Sequence, residues 1–224
     1  MPSPKKKIAV LDYGMGNLHS VASALHRVAP GEEVVLATAP EQAQGADRLL
    51  VPGVGAIRDC MAGFCDAGFA PLLKDAIESG LPVLGVCVGM QIMMRHSEEN
   101  NGVDCLDIFP QPVKFFGNDL HEGGEAGACG SRLKVPHMGW NRVAQKRAHP
   151  LWRDIEDGSR FYFVHSYYVP AQGNEAVAGE AEYGVSLAAA VARENIFATQ
   201  FHPEKSADAG LQLLKNFVGW NGKP

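Results

Sequence analysis

Pro82-Val83-Leu84-Gly85-Val86-Cys87-Val88-Gly89-Met90-Gln91 reads as a short apolar strand that runs into Gly-x-Cys-x-Gly, with a helix starting directly behind it. Strand, sharp turn and helix, with a nucleophilic side chain on the turn, make a nucleophile elbow, here with cysteine in place of serine. Side chains at positions 85 and 89 would clash with the strand and the helix, so the turn needs glycine at both. The elbow lifts the Cys87 sulfur to the C-terminal edge of a sheet. Unpaired N–H groups of the following helix then favour its thiolate. The competing reading is a core cysteine, since isolated cysteines are usually buried.

Working outward, the elbow sits in a run of alternating strands and helices. Lys7 to Tyr13 reads as a buried strand, 33–38 as a second, 48–51 as a third and 81–86 as the fourth. Leu18, Val21, Ala22, Leu25, Val28 and Ala29 recur at helical spacing. A helical stretch covers about 56–78, with interruptions near Gly63 and Gly68. This alternation predicts an α/β fold with a central, mostly parallel sheet flanked by helices. From about 103 to 185 the pattern changes to strand-like segments at 113–116, 132–135 and 161–169, around a glycine-rich loop at 117–131 that carries Cys129. These are expected as added antiparallel strands. A last core strand at 196–201 precedes a helix over about 206–220, with Leu211, Leu214, Phe217 and Val218 as its buried stripe. With no linker and no internal repeat, residues 1–224 are expected to form a single domain.

Composition excludes several function classes. Twenty Lys and Arg against 25 Asp and Glu leave a formal charge of −5, which argues against a nucleic-acid groove. An apolar fraction of 46% is that of a folded globular chain. The 25 glycines predict many tight turns. No apolar run approaches the ~18 residues of a membrane span. The basic start, Lys5-Lys6-Lys7, is followed by too short an apolar run for an export signal. Five cysteines, without a Cys-x-x-Cys pair, speak against a disulfide framework or zinc site and for the cytoplasm.

A catalytic cysteine needs a base. Of eight histidines, His19, His26, His96, His121, His137, His149 and His165 lack an adjacent carboxylate, apart from Glu122 after His121. His202 stands in Gln200-Phe201-His202-Pro203-Glu204-Lys205. Pro203 biases His202 toward extended backbone, and side chains at i and i+2 of an extended segment share a side. Glu204 is therefore expected to support the ring. The segment follows a core strand and so reaches the sheet edge that carries Cys87, where open α/β sheets place their sites. Pro52-Gly53-Val54-Gly55 ends another strand there, and its glycines allow close backbone approach and oxyanion donors. Gly14-Met15-Gly16-Asn17-Leu18-His19 lacks the third glycine of a dinucleotide fingerprint, so no nicotinamide cofactor is expected. No residue pair has metal-ligand spacing, and no metal is expected either.

With these pieces in place the chain resembles the class I (triad) glutamine amidotransferases, which implies their flavodoxin-like fold. Within them it is similar to the glutaminase subunits of imidazole glycerol phosphate synthase. The segments Asp12-Tyr13-Gly14-Met15-Gly16-Asn17, Val51-Pro52-Gly53-Val54-Gly55, Pro136-His137-Met138-Gly139-Trp140-Asn141 and Phe163-Val164-His165-Ser166-Tyr167 carry the finer likeness. The resemblance implies a Cys87–His202–Glu204 triad and no cofactor. It also implies an oxyanion hole from the N–H groups of Val88 and the loop Gly53, Val54 and Gly55. Gln91, Glu99, Ser166 and Tyr167 match positions that hold the amino-acid end of glutamine. It implies a heterodimer with a (β/α)8-barrel cyclase subunit, which takes the ammonia and makes imidazole glycerol phosphate and aminoimidazole carboxamide ribonucleotide in histidine biosynthesis. Asn17, Trp140, Asn141 and Lys205 are the candidate interface residues, against an ordinary core role for Trp140. Family members are poorly active alone, which implies an oxyanion hole not assembled at rest. The rival readings are a free-standing γ-glutamyl hydrolase, an amidotransferase subunit of another pathway, and a non-enzymatic redox sensor built around Cys87. The redox reading leaves His202 and Glu204 without a task. Val88 stands where leucine is usual, which leaves its N–H unchanged.

Overall fold

The computed structural model describes residues 5–123 and 130–224; Met1 to Pro4 and the loop segment with Cys129 lie outside the described residues. Strands β1 (Lys7–Leu11), β2 (Glu33–Ala37), β3 (Arg48–Val51) and β4 (Val83–Val86) alternate with helices α1 (Leu18–Val28), α2 (Ile57–Asp66) and α3 (Phe69–Glu78). Residues of β3 and β4 are buried throughout, as strands of a sheet covered on both faces must be. The predicted helix over 56–78 is two helices. The break falls at Gly68, whose φ of +76° only glycine adopts cheaply. Gly63 stays inside α2, where a Cβ would lie 2.7 Å from the Tyr13 carbonyl oxygen, so its glycine serves close packing and not a break.

Behind the elbow the structure departs from expectation. Helix α4 (Val88–Gln91) is a single turn, because Ile92, Met93 and Met94 turn into the core and the chain enters strand β5 (Met94–Ser97). Its dipole at Cys87 is correspondingly small, since that field grows with aligned peptides.

The second half adds β6 (Val103–Asp104), β7 (Phe109–Phe115), β8 (His137–Arg142), β9 (Ala144–Gln145), β10 (Arg160–His165), β11 (Tyr167–Tyr168), β12 (Val177–Glu182), β13 (Ser186–Arg193) and β14 (Ile196–Thr199), then helix α5 (Ala207–Gly219). The main sheet runs β2-β1-β3-β4-β14-β13-β12-β9. Its first five strands are parallel and its last three antiparallel. Two smaller sheets, antiparallel β10-β8 and mixed β11-β7-β5-β6, complete the fold. The expected strand at 132–135 is absent; Arg132 makes only an isolated bridge to His121. The expected strand at 161–169 breaks at Ser166 into β10 and β11. On α5, Leu213 joins Leu214, Phe217 and Val218 in the buried stripe, while Leu211 is half-buried. Among the described residues no helix is long and apolar enough to cross a membrane.

The pairing that positions the site is β4 with β14, parallel and in register from Val83↔Ile196 to Val86↔Thr199. It brings Cys87 and the segment leading to His202 to the same sheet edge, next to the end of β3.

Candidate active site

Cys87 has φ +55° and ψ −111°, outside the regions that a non-glycine residue occupies without strain. Its N–H donates to the Thr199 carbonyl at 2.7 Å, which ties the elbow to the end of β14. Both flanking glycines are enforced by packing. A Cβ on Gly89 would lie 2.0 Å from the Val51 carbonyl oxygen, and one on Gly85 would lie 3.0 Å from Ala198 Cβ.

His202 Nδ1 lies 2.9 Å from Glu204 Oε1, and the two side chains are 2% and 1% exposed. The pairing arises differently from the extended i, i+2 alternation expected. His202 is extended, but Pro203–Lys205 forms a tight 3-10 turn that swings Glu204 back under the ring. The His202 N–H donates to Tyr162 O at 2.9 Å and its carbonyl accepts from Ser206 Oγ at 2.6 Å, so the backbone is held from both sides. His202 Nε2 is buried with no hydrogen-bond partner among the described residues, and the ring lines the same cavity as Cys87. Burial opposes a charge on this imidazole. The neighbouring Cys87 sulfur and then Glu204 outweigh it and push His202 up to about 10. The fold also supplies Asp104 to His96 at 2.9 Å, and gives His121 the carboxylate of Asp119 at 3.1 Å. Neither histidine lines the cavity.

The cavity, of about 320 Å³, is lined by Cys87, Val88, His202, Val54, Gly55, Gln91, Glu99, Ser166 and Tyr167, among others. Residues far apart in the chain and singled out from sequence therefore share one concave surface. Gly53 lies beneath it and Glu204 behind His202. A Cβ on Gly53 would sit 2.7 Å from Gly89 N, so the loop and elbow are in direct backbone contact. In that contact the Val88 N–H donates to Gly53 O at 3.3 Å and so does not point free into the cavity. The loop is further held by the Tyr13 hydroxyl, which donates to Pro52 O, and by the Cys60 thiol, which donates to Val54 O at 3.4 Å. Glu99 Oε2 accepts the Ile57 N–H at 3.1 Å, and burial raises its carboxyl above the usual range.

Two residues of the site escaped the sequence reading. Gln200 is fully buried and its Nε2 donates toward Cys87 Sγ at 3.7 Å. A polar residue at the end of an otherwise apolar strand was its signal. His165 also lines the cavity, and burial, with His137 beside it, lowers it to about 3.

Outside the cavity, Trp140 is half exposed, against a core role, and meets the Tyr162 ring edge-on at 6.0 Å. Its neighbour Met138 is 63% exposed. Lys205 is exposed on the turn that carries Glu204, and α1, which Asn17 precedes, packs against that turn. Asn141 is partly buried and donates to Glu182 O at 2.8 Å.

Comparison with known proteins agrees with this geometry. The family model for glutamine amidotransferase class-I matches residues 9–219. The chain is 55% identical over 216 residues to imidazole glycerol phosphate synthase subunit HisH 1 of Pseudomonas aeruginosa, covering 96% of this chain and 98% of that protein. It is 50% identical to the HisH subunit of Acinetobacter baylyi, with the same coverage. Among solved structures, PurLQS from Thermotoga maritima superposes with a TM-score of 0.70 over 96% of this chain and 99% of that one. The glutaminase domain of Trypanosoma brucei CTPS with bound acivicin gives 0.63 over 98% of each. At 16% and 17% identity these two structures speak for the fold alone. By a family match across nearly its whole length and relatives at half identity or more, the chain belongs to the class-I glutamine amidotransferases, in the family of the imidazole glycerol phosphate synthase HisH subunits.

Proposed function

We propose that this chain is the glutaminase subunit of an imidazole glycerol phosphate synthase, a single domain that hydrolyses glutamine and hands the ammonia to a cyclase partner in the cytoplasm. The observation that carries the reading is one cavity lined by Cys87 and His202, with Glu204 held against His202, whose other walls include Gln91, Glu99, Ser166 and Tyr167. Four unpaired cysteines among the described residues support a reducing compartment.

The chemistry follows from the arrangement. The Cys87 thiolate attacks the side-chain amide carbon of glutamine, forming the C–S bond as the carbonyl pair moves onto oxygen. His202, held as imidazolium beside the sulfur, protonates the leaving nitrogen as the C–N bond breaks, and ammonia departs. The neutral imidazole then takes a proton from water, which attacks the glutamyl thioester and releases glutamate and the thiol. Glu204 orients the ring and stabilises its charged form, as the third member of a triad does. Gln91, Glu99, Ser166 and Tyr167 hold the amino-acid end of the substrate.

The oxyanion formed in both steps needs donors. Val88 N–H is the nearest by position, and it becomes available once the Gly53 carbonyl turns away from it. Glycine on either side of Val54 lowers the cost of that rearrangement. We therefore propose that the Gly53–Val54–Gly55 backbone is the switch through which the partner activates hydrolysis. Identical loop backbones with and without glutamine and liganded partner would remove this step.

Free ammonia is protonated at neutral pH, so the acceptor site must be docked against this one. The exposed Trp140 and Lys205, with Asn17 and Asn141, are the surface we assign to a (β/α)8-barrel cyclase. The test is glutamate release from glutamine, with and without the purified cyclase and its nucleotide ligand, for wild type and Cys87→Ala. Strong stimulation, abolished by the substitution, is the expected result. Robust partner-independent hydrolysis would make the chain a free-standing glutaminase instead.

A further inference from the structure

The Tyr167 carbonyl is an acceptor with two donors. His165 Nδ1 lies 2.8 Å from it and Gln91 Nε2 lies 3.1 Å from it. A carbonyl only accepts, so both neighbours must present N–H groups, and this settles the direction of every bond beyond them. With its proton on Nδ1, neutral His165 offers a lone pair at Nε2. His137 Nδ1, 2.9 Å away, must then donate to it. Both rings are neutral, since burial lowers His137 to about 4 and His165 to about 3. On the other side, Gln91 spends its second N–H on Gln200 Oε1 at 2.8 Å. Gln200 is thereby turned so that its Nε2, and not its carbonyl, faces Cys87 Sγ at 3.7 Å. The result is one network with every bond direction settled, its two arms meeting at the Tyr167 carbonyl, that joins the first residue of β8 to the nucleophile.

We propose that His137 and His165 are positioning residues for Cys87, and that Gln200 is the N–H donor they hold against its sulfur. His137 supports the tautomer of His165 that the Tyr167 carbonyl selects. Without a donor from His137, the buried Nε2 lone pair of His165 is left unpaired, and the ring shifts from its place against the Tyr167 carbonyl to regain a partner. That carbonyl then turns away, Gln91 loses its acceptor, and the Gln200 amide is no longer held with its N–H toward the sulfur. An N–H aimed at a cysteine sulfur favours the charged form, and the thiolate is the form that reacts, so withdrawing the donor slows attack. The stacking of the His137 ring on Phe163 and Tyr183, at 4.8 and 3.9 Å between centroids, is a separate function that an apolar ring reproduces.

This separation gives the test. His137→Phe keeps a stacking ring and removes the donor; His137→Asn removes the ring and keeps a donor at the Nδ1 position. The inference rests on the reading of Cys87 as nucleophile, so two readouts are taken on the full chain. One is the rate of Cys87 alkylation by iodoacetamide, read at the Cys87 peptide by mass spectrometry. The other is KM and kcat for glutamine in the complex with the cyclase. His137→Phe is expected to slow alkylation about fivefold, the loss of one ordinary hydrogen bond. It is also expected to raise KM, because Tyr167 and Gln91 shift, while His137→Asn recovers most of both. Equal alkylation in all three proteins overturns the proposal, and so does equal loss in both variants, which would leave His137 a stacking residue. Alkylation reports on the chain even if wild type releases no glutamate, an outcome that would sink the glutaminase reading alone.

Discussion

The backbone N–H of Val88 donates to the carbonyl of Gly53 at 3.3 Å, so the donor next to Cys87 is already engaged. This bond exists because the elbow and the Gly53 loop touch backbone to backbone. Any side chain placed between them meets main-chain atoms that cannot rotate away.

Gly89→Ala is the sharpest consequence. Its Cβ would sit 2.0 Å from Val51 O, a clash with a buried core strand. Overpacking of this kind costs about 1–3 kcal/mol and more when backbone must move. A loss of at least ~3 kcal/mol is expected, on the order of 6–12 °C in Tm for a chain of this size. Gly31→Ala, where a Cβ meets nothing within 4 Å, serves as the control and should leave Tm within a degree or two. Equal melting of the two variants would contradict the packing account.

The glutamate behind the histidine predicts a loss without unfolding. Glu204→Gln keeps the shape at Nδ1 but removes the charge that helps hold His202 protonated. Glutamine hydrolysis should fall at least about 10²-fold, and the imidazole should titrate below its value of about 10. Both follow from one NMR titration and one assay. Unchanged turnover would reduce Glu204 to a structural acid.

The elbow was legible in the sequence because its determinant is local: two glycines flanking a cysteine between a strand and a helix. That His202 would meet Cys87 was legible through a general rule, since neighbouring parallel strands end at the same edge. The contacts of Gln200 and of the His137–His165 pair were not legible, although a polar residue closing an apolar run marked Gln200 itself. Gln200 meets Cys87 across 113 residues and His137 meets His165 across 28, and no local pattern encodes such contacts. Local signals also misled where two roles look alike in one letter. Gly63 and Gly68 both read as helix breaks, yet one serves packing against Tyr13 and the other a left-handed turn. Pro203 correctly set His202 extended, but the turn that follows, and not alternation, delivers Glu204.

Buried histidines give the protein an acid limit. Burial lowers His137 and His149 to about 4 and His165 to about 3, against an ordinary value of 6.5. Each therefore binds a proton in the unfolded chain before it does so in the folded one. The stability they contribute is complete above pH 6.5 and is lost as pH falls toward 4. Denaturant melts should show lower stability at pH 4.5 than at pH 7, with His149→Phe reducing the difference. His202 has the opposite sign: its raised value adds stability that is full below pH 6.5 and is lost as pH rises through about 10. A melt that is flat from pH 7 to 4.5 would show these imidazoles to be solvated.

Trp140 is half exposed on β8, beside a more exposed Met138, and among the described residues its ring meets that of Tyr162. The Tyr162 carbonyl in turn accepts the His202 N–H at 2.9 Å, so a partner seated on Trp140 rests two residues' contact from His202. A large apolar side chain left in water contributes little to the fold, whereas at the centre of an interface it is the type of residue that dominates affinity. Trp140→Ala should leave Tm within a few degrees and weaken association with the cyclase by ~2 kcal/mol or more, some 30-fold in Kd. Isothermal titration of the two purified subunits measures the second quantity and thermal melting the first. Full affinity in the variant would move the docking surface off β8, and a collapse of Tm would return Trp140 to the core.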